Sequence, residues 1–223
     1  MSDSTYSIRS TWIGGNLRSA DIGSKILQMV RQLSPMGPAM SNWVLLDLRK
    51  PKWVPIDGLA TATKLVERGV KRNDFSGEDE PHLGYSIIAK GSKSPSDNGT
   101  PDSINISMDL GAWSINKLEF EVGDISMPPD PVLITYPIYK GVLETLASIW
   151  PCPWALASAF MHDDSDVPEW DGVSPLEDLI RQAPEVRASF ADAWIAYLSP
   201  PLARGLAPPR EIASQPTPGG GAI

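Results

Sequence analysis

At the start of the chain Tyr6, Ile8, Ser10 and Trp12 alternate with Ser7, Arg9 and Thr11, and Gly14-Gly15 follows. A period of two puts one set of side chains on a buried face, so this stretch predicts a strand that ends in a turn. Between residues 18 and 33 the pattern changes. Ile22, Ile26, Val30 and Leu33 fall at spacings of 4, 4 and 3, the stripe of an amphipathic helix that Pro35 and Gly37 terminate. Extended pieces at 43–48 and 53–56 flank the basic turn Arg49-Lys50-Pro51-Lys52. Asp57 is positioned to N-cap a second helix that runs to about Gly69, with Leu59, Ala62, Leu65 and Val66 on its apolar face. Residues 70–83 mix Lys71 and Arg72 with Asp74, Glu78, Asp79 and Glu80 around one aromatic residue, which reads as a solvated loop.

Further along, 83–90, 103–113 and 115–122 read as strands, and 91–102 as a loop with an Asn98-Gly99 turn signal. Residues 127–131 form a Pro-rich bend. Ile138, Val142, Leu146 and Ile149 repeat the 4, 4, 3 spacing, with Pro137 at the helix start and Pro151 and Pro153 as its stop. A buried strand is predicted at 154–160. Phe190, Trp194, Tyr197 and Leu198 fit a helix, but the alternation from Ala193 to Leu198 fits a strand, which is the reading adopted. No repeat of 20 to 50 residues is present. Together the elements predict an α+β protein, an antiparallel β-sheet of about six to seven strands with about three α-helices packed on it. Residues 1–213 form one domain, and 214–223, rich in Pro and Gly, form a flexible tail.

Composition narrows the functional classes. The 223 residues carry 19 Lys and Arg against 27 Asp and Glu, a net charge of −8. Such a surface repels phosphate backbones and anionic lipid, so direct nucleic-acid or membrane binding is disfavoured and a cationic partner is favoured. No segment approaches the roughly 20 apolar residues of a membrane helix, and the N-terminus has no signal-peptide pattern, which predicts a cytoplasmic protein. With one cysteine, Cys152, and two histidines, His82 and His162, neither an internal disulfide nor a thiolate zinc site is expected. The acidic excess is uneven: residues 161–178 hold seven acids and no Lys or Arg, whereas 49–72 is locally basic.

Several residues suggest chemistry, and each has a plainer explanation. Ser114 and Lys117 match Ser-x-x-Lys, but across a strand junction rather than on one helical turn. Glu119 and Glu121 share a strand face and could act as an acid/base pair, although alternating acids are usually a solvent face. Gly14-Gly15-Asn16 is Gly-rich but lacks both phosphate-loop patterns. His162 with Asp163, Asp164 and Asp166 looks like a cation site, yet the run fails the EF-hand pattern, with Pro168 and Glu169 where a ligand and Gly belong. Cys152, between two prolines, reads as a buried inert thiol. Of the eight Trp residues, Trp170 stands apart because Glu169 and Asp171 flank it, an arrangement typical of binding anchors.

Five stretches together resemble the Immunity protein 52 family of bacterial polymorphic-toxin systems. They are Tyr-Ser-Ile-Arg-Ser-Thr-Trp at 6–12, the helix with its following Trp43, and Leu-Val-Glu-Arg-Gly-Val-Lys-Arg-Asn-Asp at 65–74. Leu-Gly-Tyr-Ser at 83–86 and Ala-Trp-Ile-Ala-Tyr-Leu-Ser-Pro-Pro-Leu-Ala at 193–203 complete the set. The resemblance implies a cytoplasmic α+β immunity protein that neutralises a cognate effector toxin by direct contact and protects the producing cell and its kin. In this family the toxin is a DNase of restriction-endonuclease-like fold (Tox-REase-5), delivered by type VI secretion. Where the family continues after Tyr-Leu-Ser-Pro through a Gly-Gly turn into another strand and helix, this sequence stops at Ile223.

On this reading the protein is not an enzyme, needs no metal or cofactor, and is a monomer or weak homodimer. The toxin-binding residues expected are Asp163, Asp164, Asp166, Glu169, Trp170 and Asp171, with Glu78, Asp79 and Glu80 as a second acidic group. The rival expectation is a small cytoplasmic hydrolase that uses the Glu119/Glu121 pair or the His162 cluster.

Overall fold

A computed structural model describes residues 4–94, 104–112, 115–122, 131–161, 195–205, 214–217 and 221–223. The alternation of the first strand, β1 (Ser4–Ile13), organises the sheet. Ile8 pairs with Phe120 of β6 (Ile115–Val122) on one side and with Ala157 of β7 (Trp154–Met161) on the other. Outward from β6 come β5 (Ile104–Leu110), β4 (Tyr85–Ser92), β2 (Asn42–Asp47) and β3 (Lys52–Pro55); beyond β7 lies β8 (Ile195–Leu198). All neighbours are antiparallel, giving one eight-stranded sheet in the order β3-β2-β4-β5-β6-β1-β7-β8. The fold is α+β, as the periodicities predict.

One sheet face carries the core. Register places Ile8, Trp12, Ile87, Ile106, Phe120 and Ala157 on it, and all are buried. Helices α1 (Ser19–Leu33) and α3 (Tyr136–Ile149) cover this face with Ile22, Ile26, Leu33, Val142 and Leu146. The Phe120 and Tyr139 rings meet edge to face at 6.1 Å, and Trp12 stacks on Trp150 at 6.4 Å. Burial of the Phe120 ring contributes roughly 1.5–3 kcal/mol.

The second helix, α2 (Leu59–Arg68), buries Ala62, Leu65 and Val66 but departs from expectation at its start. Gly58, not Asp57, is the N-cap, and no side chain caps the helix. Leu59 is therefore the first helical residue, where it borders a surface concavity with Ser24, Leu27 and Gln28 of α1 and stays half exposed.

The opposite sheet face is polar along Arg9, Lys117, Glu119, Ser107 and Asp109, except at one edge. There Trp154 and Leu156 of β7 meet Leu202 of a short helix, α4 (Pro200–Gly205), in a second small cluster that the sequence did not announce. Two described pieces of the tail, 214–217 and 221–223, make backbone hydrogen bonds. Leu198 and Ala222 exchange backbone hydrogen bonds of 2.8 and 2.9 Å, and Gln215 and Ile223 exchange bonds of 2.7 and 2.9 Å. The edge of β8 thus pairs with Ala222, and residues 214–217 pair in turn with 221–223.

Candidate functional site

Residues 71–80, within the stretch 70–83 read from sequence as a solvated loop, form a small hairpin. Its root is fixed where α2 meets β4. Ser86 N–H donates to the Gly69 carbonyl at 2.8 Å, and a Cβ on Gly69 would lie 2.1 Å from the Ser86 oxygen, so only glycine fits this approach. Lys71 N–H then donates to Gly84 O at 2.9 Å and Glu80 N–H to Lys71 O at 2.8 Å. Arg72 bridges to Asp79, and Asn73 N–H donates to Glu78 O at 3.0 Å. Gly77, at φ 71°, closes the turn with its N–H on Asn73 O at 2.8 Å, a conformation that favours glycine.

Side chains brace this backbone from within. Asn73 Oδ1 accepts from the N–H groups of Phe75 and Ser76 at 2.9 and 3.1 Å, while its Nδ2 donates to Glu80 Oε1 at 2.7 Å. Asp79 Oδ1 accepts from Arg49 Nη2 at 2.5 Å and Arg72 Nε at 3.2 Å, and Arg49 Nε donates to the Arg68 carbonyl at 3.1 Å. The chain of charge ends on Asp47, a buried carboxylate that accepts from Arg68 and from the backbone of Arg49 and Lys50. Desolvation pushes the Asp47 carboxyl up. The Lys50 N–H, Arg68 and the Arg49 N–H together outweigh it and hold the group below the ordinary carboxylate range.

The tip is different. Phe75 is 101% exposed, and the neighbouring Asp74 and Glu78 are exposed and form no ion pair among the described residues. Of the nine residues expected to bind a toxin, the hairpin therefore presents one, Glu78, outward and unpaired. Asp79 is held by two arginines, and Glu80 is bonded to Asn73 with His82 Nε2 at 3.5 Å. Asp163, Asp164, Asp166, Glu169, Trp170 and Asp171 lie outside the described residues. Phe75 is the residue that sequence reasoning passed over. Its signal was a lone aromatic between the turn formers Asn73-Asp74 and Ser76-Gly77.

The enzymatic candidates gain no geometry from the described residues. Glu119 is ion-paired with Arg9 on the polar sheet face. Gly14-Gly15-Asn16 is a clamped turn, with Asn116 Nδ2 donating to Gly14 O at 2.9 Å and Asn116 Oδ1 accepting from Gly111 N–H at 2.6 Å. Beside it lies a concavity of about 370 Å³, where the Lys25 amine donates to the Ile149 carbonyl that ends α3 and lies 5.3 Å over the Trp150 ring. Burial pushes the Cys152 thiol up to about 11, which leaves it protonated and unreactive near neutral pH. Ser114 and His162 fall outside the described residues. Among the described residues no group of three or more His, Cys, Asp or Glu could hold a metal, and no helix is long and apolar enough to cross a membrane.

No protein-family model matches the chain, and no curated protein matches it. The resemblance to Immunity protein 52 thus rests on the quoted stretches alone. Among solved structures the chain is similar to a Pseudomonas aeruginosa T6SS protein, PA0821, at 11% identity and a TM-score of 0.39. The similarity covers 71% of this chain and 41% of that one, so this chain matches less than half of its neighbour's length. A likeness that distant concerns part of the backbone path and transfers no role.

Proposed function

We propose that this protein is an immunity protein that binds and neutralises a cognate nuclease effector toxin by direct protein-protein contact, protecting the cell that makes it. On this reading it is a binding protein rather than an enzyme. The observation that carries the proposal is the braced hairpin that holds a fully exposed Phe75 between two acids that form no ion pair among the described residues. Aromatic anchors framed by polar groups are the usual energetic centre of protein interfaces. The family resemblance supports the same reading, because the stretch 65–74 covers the end of α2 and the first arm of this hairpin. The net charge of −8 supports it too, since an acidic inhibitor is steered toward the cationic groove of a DNA-cutting enzyme.

The test is co-expression with the toxin gene encoded next door. The proposal expects the two products to co-purify and the cells to survive; toxicity unchanged by this protein would overturn it. Adding DNA to the purified complex then distinguishes the mode. Mutual exclusion means the active site is plugged, whereas a ternary complex means inhibition from a distant surface.

A further inference from the structure

Five large apolar side chains are exposed among the described residues, and they are not equivalent. Ile13, Leu59, Tyr136 and Val132 are 51, 48, 50 and 71% exposed, whereas Phe75 at 101% buries none of its ring in its own fold. A phenyl group in that position gains nothing for the folded chain, and its transfer free energy becomes available only when another surface covers it. The ring is also held ready. The cross-strand bonds at Asn73 and Gly77 and the Asn73 side chain on the Phe75 and Ser76 amides fix the backbone that carries it, so little ordering is left for binding to impose.

Charge around the ring specifies the partner. The carboxylates toward the root, Asp79 and Glu80, already face Arg49, Arg72, Asn73 and His82. Among the described residues, Asp74 and Glu78, which flank the ring, are in no ion pair. A surface that buries Phe75 must therefore solvate or pair these two acids at its rim. Resting on the toxin-binding reading, we propose that the 71–80 hairpin inserts Phe75 into an apolar pocket of the partner protein. Lys or Arg side chains at the pocket rim pair with Asp74 and Glu78. The other acids of the hairpin stay bonded within this chain and contribute no direct contact.

The experiment measures affinity and association rate for the purified product of the adjacent toxin gene, using the full chain and its variants. Phe75→Ala is expected to weaken binding roughly 30-fold or more, the size of an interface hot spot, while Phe75→Tyr stays within about 5-fold of wild type. Asp74→Asn combined with Glu78→Gln slows association at low salt and flattens its salt dependence. Unchanged melting temperatures verify that the variants are folded, as expected for exposed side chains. If the wild-type protein binds and protects but Phe75→Ala binds within about 2-fold of it, the pocket inference is wrong and the toxin reading stands. If the wild-type protein neither binds nor protects, both fall.

Discussion

The root and the tip of one hairpin use the same chemistry to opposite ends. At the root, Asp79 sits between Arg49 and Arg72, and Asp47 behind it is closed in by Arg68 and two backbone N–H groups. At the tip, less than 10 residues along the chain, Asp74 and Glu78 flank a bare phenyl ring with no ion pair among the described residues. Counting acids along the sequence cannot separate these uses. What separates them is whether the tertiary fold brings an arginine: Arg49 comes from the turn after β2 and Arg68 from the end of α2. Root acids set position; in the proposed reading, tip acids are left for a partner.

Substitutions can break this division, and the largest effect belongs to the tip. Phe75→Ala should remove most of the binding affinity yet move stability by no more than about 0.5 kcal/mol, as for a surface side chain without contacts. A chemical denaturation curve beside the affinity measurement checks both halves. Asp79→Ala should act the other way round: a loss of about 1 kcal/mol or less, since the pair is half exposed, and an affinity loss of about 5-fold through a looser tip. Asp79→Glu, which keeps a carboxylate between the two arginines, should restore most of the affinity, and hydrogen exchange at the Phe75 and Ser76 amides should report the loosening.

Much of the fold was legible because burial on one face writes a period. The 4, 4, 3 spacings of Ile22 to Leu33 and Ile138 to Ile149 became the core-facing stripes of α1 and α3, with Ile138 half-buried, and Ile8, Ser10 and Trp12 of β1 became buried. Where no period is written, reading failed for identifiable reasons. The hairpin has arms of three residues and is held by Asn73 and Gly77 instead of by apolar alternation. The ion pair that ties its Asp79 to Arg49 spans 30 residues, and the Arg68–Asp47 pair behind it spans 21, beyond any local pattern. Helix α4 and Ala222 depend on the face and edge of β7 and β8, which exist only once the sheet is assembled. The charge of −8 was visible from the start, but not which acids remain available.

Two smaller effects sharpen the contrast. Replacing Asp163, Asp164, Asp166 and Glu169 together by Ala should slow toxin association a few-fold and reduce its salt dependence, with little change in the dissociation rate, if these acids steer rather than anchor. Stopped-flow association at two salt concentrations measures this. At the root, Asp47 should reveal itself through acid sensitivity. Its folded-state pKa lies below the unfolded value near 3.8, so its stabilising contribution is complete above that value and is lost as pH falls through the folded-state pKa. Thermal melts from pH 6 to pH 2 should therefore drop less steeply for Asp47→Asn than for wild type at the acid end, from a lower starting point.

The central claim is that the hairpin tip is what touches the toxin. Placing a photo-crosslinking phenylalanine analogue at position 75 and, separately, at the exposed Val132 before α3 tests it without disturbing either fold or charge. With the adjacent gene's product present, irradiation should join the two proteins from position 75 and not from position 132. Crosslinking from position 132 alone would contradict the account.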